Sequence, residues 1–279
     1  MTVLRLGDLS LECPAVMGVL NTTPDSFSDA GRFNAPAHAL HHAQQMAAEG
    51  AAIIDIGGES TRPGAQDVSE QEEIERVIPV IESLRQAVDT PISVDTSKPG
   101  VMRAAVAAGA AMINDVRALR ADGALEVAAE LGRPVCLMHM QGQPRTMQLE
   151  PHYDDVVADV SAFLRERVAE CVKAGISEDL LVVDPGFGFG KTAQGNIELL
   201  ANLRQLLDIG RPILIGVSRK STLGAITGRE VDDRLAAGLA AAVMAVERGA
   251  QIVRAHDVAE TVDALRVAGV TLESEITND

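Results

Sequence analysis

Tryptophan is absent, tyrosine occurs once, and aromatic residues make up 2% of the 279-residue chain. Basic residues are also outnumbered: 24 Lys and Arg stand against 40 Asp and Glu, for a net charge of -16. No Lys/Arg-rich stripe interleaved with aromatics offsets that field, so neither nucleic acid nor anionic lipid is an expected partner. An anionic small substrate is not excluded, because a few cations focused in one cleft outweigh a diffuse negative surface. Cys13, Cys136 and Cys171 are odd in number and form no CxxC pair. They carry no metal or redox motif, and a reducing cytoplasm is expected. No basic segment followed by an apolar one opens the chain, and no apolar run nears the roughly 18 residues that span a bilayer. Neither secretion nor membrane insertion is expected.

What is present is a hydrophobic content of 47%, enough for a sizeable core, and one domain over residues 1–279 is the default for this length. Short apolar runs recur at Val16 to Leu20, Ile53 to Ile56, Ile92 to Val94, Ala111 to Ile113, Val135 to Met138, Leu181 to Val183, Ile213 to Ile215 and Ile252 to Val253. They do not alternate with polar residues, as expected of parallel strands buried on both faces. Segments of helical periodicity lie between them, among them Ala37 to Glu49, Glu70 to Ala87, Tyr153 to Lys173 and Asp233 to Arg248. Ser69 with Glu72 reads as a capping box, and Gly50, Gly109, Gly132, Gly175 and Gly249 sit where helices should stop. Eight such units with no composition break favour a closed (β/α)8 barrel of the α/β class over an open doubly wound sheet. Val3 to Leu11, alternating around Gly7-Asp8, reads as a small hairpin capping the bottom, and residues 271–279 as a loose polar tail.

Every apolar run ends in polar groups: Asn21; Gly57 to Arg62; Asp95; Asn114-Asp115; His139; Asp184; Ser218-Arg219-Lys220; and Arg254 with His256. In a barrel these ends converge on the C-terminal face, where catalytic groups sit. Helix capping accounts for any one of them, but Lys220, Arg254 and His256 are poor N-caps, and cations do not gather without an anion. Asp95, Asn114, Asp184 and Lys220 supply acceptors and donors for the edge of a nitrogen heterocycle, while Asn21, Thr61, Arg254 and His256 suit an anion. Three other signals read as structural. The stretch Asp184 to Thr192 looks like a phosphate loop but has Pro185 at the required first glycine. His38, His41 and His42 read as a solvated helix face, and Cys136 as a buried small hydrophobe.

Met17 to Asp29 (MGVLNTTPDSFSD), Asp55 to Ala65 (DIGGESTRPGA), Asp184 to Lys191 (DPGFGFGK), Ser218 to Ser221 (SRKS) and Arg254 to Val258 (RAHDV) strongly resemble the dihydropteroate synthase family. Ser93 to Pro99, Asn114 to Val116 and Leu137 to Gly142 match in the same order, so the resemblance covers nearly the whole chain. It implies condensation of 6-hydroxymethyl-7,8-dihydropterin diphosphate with 4-aminobenzoate in folate biosynthesis. It further implies that Asp95, Asn114, Asp184 and Lys220 hold the pterin in a slot shaped by Met138, Phe189 and Gly216, with Arg254 stacked on the ring and reaching the diphosphate. Asn21, Thr61 and His256 would bind the diphosphate, with Mg²⁺ held by its oxygens and by Asn21. Two loops, Thr22 to Phe33 and Thr61 to Asp67, would complete the aminobenzoate site through Phe27, Thr61, Arg62, Pro63, the stem of Lys220, and Ser221 for the carboxylate; Asp29 would order the closed loop and the metal. Catalytic roles thus fall to Asn21, Phe27, Asp29, Lys220, Arg254 and His256. Sulfonamide sensitivity and a homodimer packed through the Ala-rich helix Asp233 to Arg248 are family-level expectations.

Two departures are small: Thr22 stands where the family often has Val, and Ala255 where Val is frequent. Two other readings remain open. A pterin-binding methyltransferase shares the barrel and an Asp/Asn/Asp pocket, but needs neither Lys220 within SRKS nor Arg254 with His256. An inactive paralogue kept as a binding protein has no reason to retain every polar position.

Overall fold

The computed structural model describes residues 2–22, 35–60, 67–142, 147 and 151–276. β1 (Thr2–Leu6) and β2 (Leu9–Cys13) form the expected antiparallel hairpin, turning at Gly7. Then come β3 (Ala15–Asn21), β4 (Ile53–Gly57), β5 (Ile92–Asp95), β6 (Met112–Asp115), β7 (Val135–Met138), β8 (Leu181–Asp184), β9 (Leu214–Ile215) and β10 (Ile252–Ala255), all paired in parallel. Their order is β8-β7-β6-β5-β4-β3-β10-β9. A parallel bridge between Val183 and Ile213, with Val183 N–H donating to Pro212 O at 2.9 Å, joins the two ends, so the sheet closes into a barrel. Closure abolishes sheet edges and explains why the strands lack alternation: both faces are covered.

The helices form the outer wall: α1 (Ala35–Ala48), α2 (Glu70–Ala87), α3 (Pro99–Ala108), α4 (Ala124–Leu131), α5 (Val156–Lys173), α6 (Ala193–Ala201), α7 (Ser221–Thr227), α8 (Leu235–Glu247) and α9 (Val258–Ile276). Ser69 caps α2 by accepting from Glu72 N–H at 3.2 Å, but the Glu72 carboxylate pairs with Arg76 instead of reaching back, so the box is half formed. All five glycines expected to stop helices have positive φ. The polar tail is corrected: α9 continues to Ile276, because Leu272 prolongs the apolar stripe of Val262, Leu265 and Ala268 against the barrel.

Inside the barrel, Leu6, Leu9 and Leu11 of the hairpin pack with Met17, Ile53, Met112, Cys136, Val182, Leu214 and Ile252. This apolar plug seals the bottom, and Cys136 is part of it as a buried hydrophobe. Side chains two residues further along each strand point into the same lumen one layer higher, and there the chemistry changes.

Candidate active site

In that higher layer Asp55 follows Ile53, Asn114 follows Met112, Asp184 follows Val182 and Arg254 follows Ile252. These four strands thus carry a polar group at the first inward position above the plug, while β3, β7 and β9 place Val19, Met138 and Gly216 there. One cavity opens there, and Asp95, Asn114, Met138, Asp184, Phe189, Gly216, Lys220 and Arg254 all line it, together with Ser218 and His256. Every residue expected to meet the pterin therefore shares one wall.

The polar groups form a connected network. Arg254 donates from Nε to Asp55 Oδ2 at 2.7 Å and from Nη2 to Asp95 Oδ2 at 2.9 Å. Asn114 Nδ2 donates to the same Asp55 oxygen at 3.0 Å. With its NH₂ turned to Asp55, Asn114 keeps its amide oxygen as an acceptor for a ligand. Burial opposes charge on Arg254, but Asp55 and Asp95 outweigh it and hold the guanidinium above its ordinary range. Burial pushes the Asp184 carboxyl up to about 6, against the opposing pull of Gly186 N–H, Lys220, Lys191 and Arg254. Gly186 N–H donates to Asp184 Oδ1 at 2.7 Å. Lys220 lies with Nζ 3.9 Å from the centroid of the Phe189 ring, a cation–π contact; burial and the charge of Arg254 push its amine below the usual range.

His256 lines the same cavity. Burial and the neighbouring Arg254 push its imidazole down to about 4, so it is neutral at pH 7. Its Nδ1 lies 3.1 Å from Ser218 Oγ, which also accepts the His256 backbone N–H at 3.3 Å. The serine hydroxyl can then donate to Nδ1 and leave Nε2–H as a donor for an anion.

Asn21 is the last residue of β3, half-buried and paired with Gly57 of β4. Thr22, the departure from the family pattern, is fastened to the same residue: its N–H and Oγ1 both donate to Gly57 O, at 2.8 and 3.1 Å. Ser221 is exposed and begins α7 directly after Lys220. Phe27, Asp29, Thr61, Arg62 and Pro63 lie outside the described residues. Among the described residues no group of three or more His, Cys, Asp or Glu could hold a metal. Asn21 offers one hard amide oxygen, which fits Mg²⁺ only if substrate oxygens and water supply the rest, the usual arrangement for an ion that dehydrates reluctantly.

Sequence reasoning assigned no role to Asp55, which is fully buried and anchors both Arg254 and Asn114. The signal was a lone carboxylate inside the apolar run IIDIG. Lys191 and His139 were likewise unassigned, and they pair in the protein interior with Lys191 Nζ 2.9 Å from His139 Nδ1. The exposed His38, His41 and His42 of α1 remain a solvated face.

Comparison with known proteins agrees with this geometry. The pterin binding enzyme family matches residues 17–256. Dihydropteroate synthase of Haemophilus influenzae is 55% identical over 259 residues, covering 93% of this chain and 94% of the relative. The Yersinia pestis dihydropteroate synthase, solved as a sulfonamide drug complex, superposes with a TM-score of 0.93 at 51% identity over 98% of this chain and all of that one. The Xanthomonas albilineans dihydropteroate synthase has been solved with 4-aminobenzoic acid (TM-score 0.91, 52% identity) and with 7,8-dihydropteroate (TM-score 0.88, 49% identity), covering 97% of this chain in each case and 98% and 99% of those chains. Sequence, barrel and strand-end residues agree: the chain belongs to the pterin-binding enzyme family, among its dihydropteroate synthases.

Proposed function

We propose that the lumen cavity binds the pterin of 6-hydroxymethyl-7,8-dihydropterin diphosphate and that 4-aminobenzoate enters over it, giving 7,8-dihydropteroate and diphosphate. The observation that carries the reading is the single cavity wall on which Asp95, Asn114, Asp184 and Lys220 meet Arg254 and His256. The relatives solved with 4-aminobenzoic acid and with 7,8-dihydropteroate support the second substrate and the product.

The reaction breaks the bond between the exocyclic methylene and the diphosphate oxygen, whose electron pair leaves with the diphosphate. The electron-rich dihydropterin delocalises the resulting cation, so an SN1-like path needs a stabilised leaving group and no protein nucleophile. Arg254, His256 Nε2–H and Asn21 would meet the growing negative charge, a preorganised arrangement of the kind that dominates many active sites. Mg²⁺ bound at Asn21 and the diphosphate would neutralise further charge. The neutral arylamine then forms the C–N bond and releases its proton. Phe27, Pro63 and the Lys220 stem would enclose its ring, Thr61, Arg62 and Ser221 would receive its polar end, and Asp29 would help the closed loops exclude water.

Three buried, free cysteines support a reducing compartment, and no described helix is long and apolar enough to cross a membrane. Exposed Leu235 and Met244 on α8, beside α9 with exposed Val267 and Val270, support a homodimer through this face.

Supplying the dihydropterin diphosphate, 4-aminobenzoate and Mg²⁺ should give dihydropteroate by mass spectrometry, with turnover that depends on aminobenzoate. Absence of product would sink the reading. Asp184→Ala should weaken pterin binding by about 1–3 kcal/mol, the cost of an unpaired buried partner. Phe27→Ala should instead raise the KM for aminobenzoate. The opposite pattern would show the two pockets to be misassigned.

A further inference from the structure

The lysine of the stretch that looks like a phosphate loop is turned into the protein interior. Lys191 is 3% exposed, and its Nζ lies 2.9 Å from His139 Nδ1, 2.9 Å from Gly186 O and 3.0 Å from Phe189 O. Three acceptors match the three hydrogens of an ammonium, whereas a neutral amine donates only two. His139 is able to accept: burial, with the charges of Lys191 and Arg120, pushes it down to about 2, so the ring is neutral. Phe163 holds that ring edge-on at 4.9 Å between centroids. Tyr153 OH donates to Gly190 O at 2.7 Å and ties the far end of the same loop.

We propose that Lys191 is a positioning residue of the pterin site: its ammonium joins the loop after β8 to the end of β7 and places a positive charge behind the Asp184 carboxylate. This rests on the assignment of the lumen cavity to the pterin. Asp184 has three cationic neighbours, Lys220, Lys191 and Arg254. Lys220 and Arg254 line the cavity, where a ligand can reach them. Lys191 is held by protein atoms alone: burial and the charge of Lys220 push its amine down to about 7, Asp184 opposes that fall, and the three acceptors around Nζ suit the ammonium. Its hold on Phe189 O also sets the loop against Lys220, since a Cβ on Gly188 would stand 2.8 Å from Lys220 Cδ.

The two contributions separate by pH. Lys191 is faced by His139 from the segment after β7, by Asp184 from β8 and by Lys220 from the loop after β9, and Tyr153 bonds the neighbouring Gly190 O. Asp184 additionally feels Arg254 from β10 and Cys136 from β7. Neutral His139, the Tyr153 and Cys136 groups that burial pushes up, and charged Arg254 keep their state in mildly acid solution. Asp95 of β5 titrates alike with or without Lys191. Asp184 must be ionised to pair with pterin N–H groups, so affinity falls as pH drops through its pKa.

The test is calorimetric titration with 6-hydroxymethylpterin, which carries no phosphate to titrate, into wild type, Lys191→Met and Asp184→Ala. Lys191→Met keeps length and removes the donors. It should bind at least about tenfold more weakly near pH 7.5, and the deficit should widen about fivefold near pH 5.5, as a rise of about one unit at Asp184 demands. A deficit that is constant with pH, or no deficit, beside a weakened Asp184→Ala overturns this proposal alone. Asp184→Ala binding as tightly as wild type overturns the cavity assignment and the proposal with it. Should Lys191→Met not fold, wild type labelled with ¹⁵N-lysine decides: the Lys191 ammonium signal should be present near pH 5.5 and shift when the pterin binds, and an amine deprotonated at that pH overturns the proposal.

Discussion

Arg254→Met should lower kcat/KM by a factor of about 10²–10³ and destabilise the fold by about 3–5 kcal/mol. The guanidinium is bonded to Asp55, which is completely buried, and to Asp95, which is nearly so. Removing one partner of a buried pair costs more than the pair contributes, because it leaves a carboxylate unpaired in low dielectric. The effect depends on pH with a definite sign. Burial has already pushed the Asp95 carboxyl up to about 7, and Arg254 is the largest influence opposing that rise, so the variant's value lies higher still. A carboxyl whose folded pKa exceeds its unfolded value binds more protons when folded, so stability is full below the unfolded pKa and is lost as pH rises through the folded one. The deficit of Arg254→Met should be constant below about pH 7, where Asp95 is protonated in both folded proteins, and grow above it towards the variant's higher value. Urea unfolding of both proteins at several pH values reads this directly, and a deficit independent of pH would contradict the buried-pair account. Arg254→Lys keeps the charge but loses the fork that spans two carboxylates, so it should recover stability only in part.

The barrel was legible because its signal is local: eight apolar runs, each ending in a polar group, map onto β3 to β10 to within two residues at their ends. The pterin wall was legible for the same reason, since a strand's last residue faces the lumen wherever the strand's period places it. What escaped depends on contacts between distant residues. Asp55 and Arg254 are 199 residues apart, and nothing in either motif says that they pair. His256 stands next but one to Arg254 in sequence, but its bond to Ser218 and its burial, which keeps the ring neutral, depend on the fold. Lys191 follows a glycine-rich stretch as a phosphate-binding lysine does, yet Gly186 and Phe189 carbonyls turn it inward. Thr271 to Ile276 are polar enough to suggest a tail, and one partly buried residue, Leu272, keeps them helical. Phe27, Asp29, Thr61, Arg62 and Pro63 rest on family motifs alone.

Gly186→Ala should cost at least about 3 kcal/mol, at the severe end for a single methyl group. For a chain of this size that corresponds to a fall in Tm of about 6–12 °C. Gly186 has φ of 67°, where an L side chain is already strained, and a Cβ there would stand 1.9 Å from His139 O. A flexible side chain could swing aside, but this neighbour is backbone. His139 N–H in turn donates to Asp184 O at 2.9 Å, so displacing the carbonyl moves the strand ends that carry Met138 and Asp184. Pterin affinity should therefore fall together with stability. Gly132→Ala is the matched control: its φ is 58°, and a Cβ there meets nothing within 4 Å. It carries only the left-handed backbone penalty of about 1–2 kcal/mol and should bind the pterin normally. Thermal unfolding and pterin titration of the two variants side by side separate backbone strain from steric contact. Equal losses of Tm would mean that the strand ends around His139 yield freely, and the close packing that fixes Asp184 would then not be what orders the pterin site.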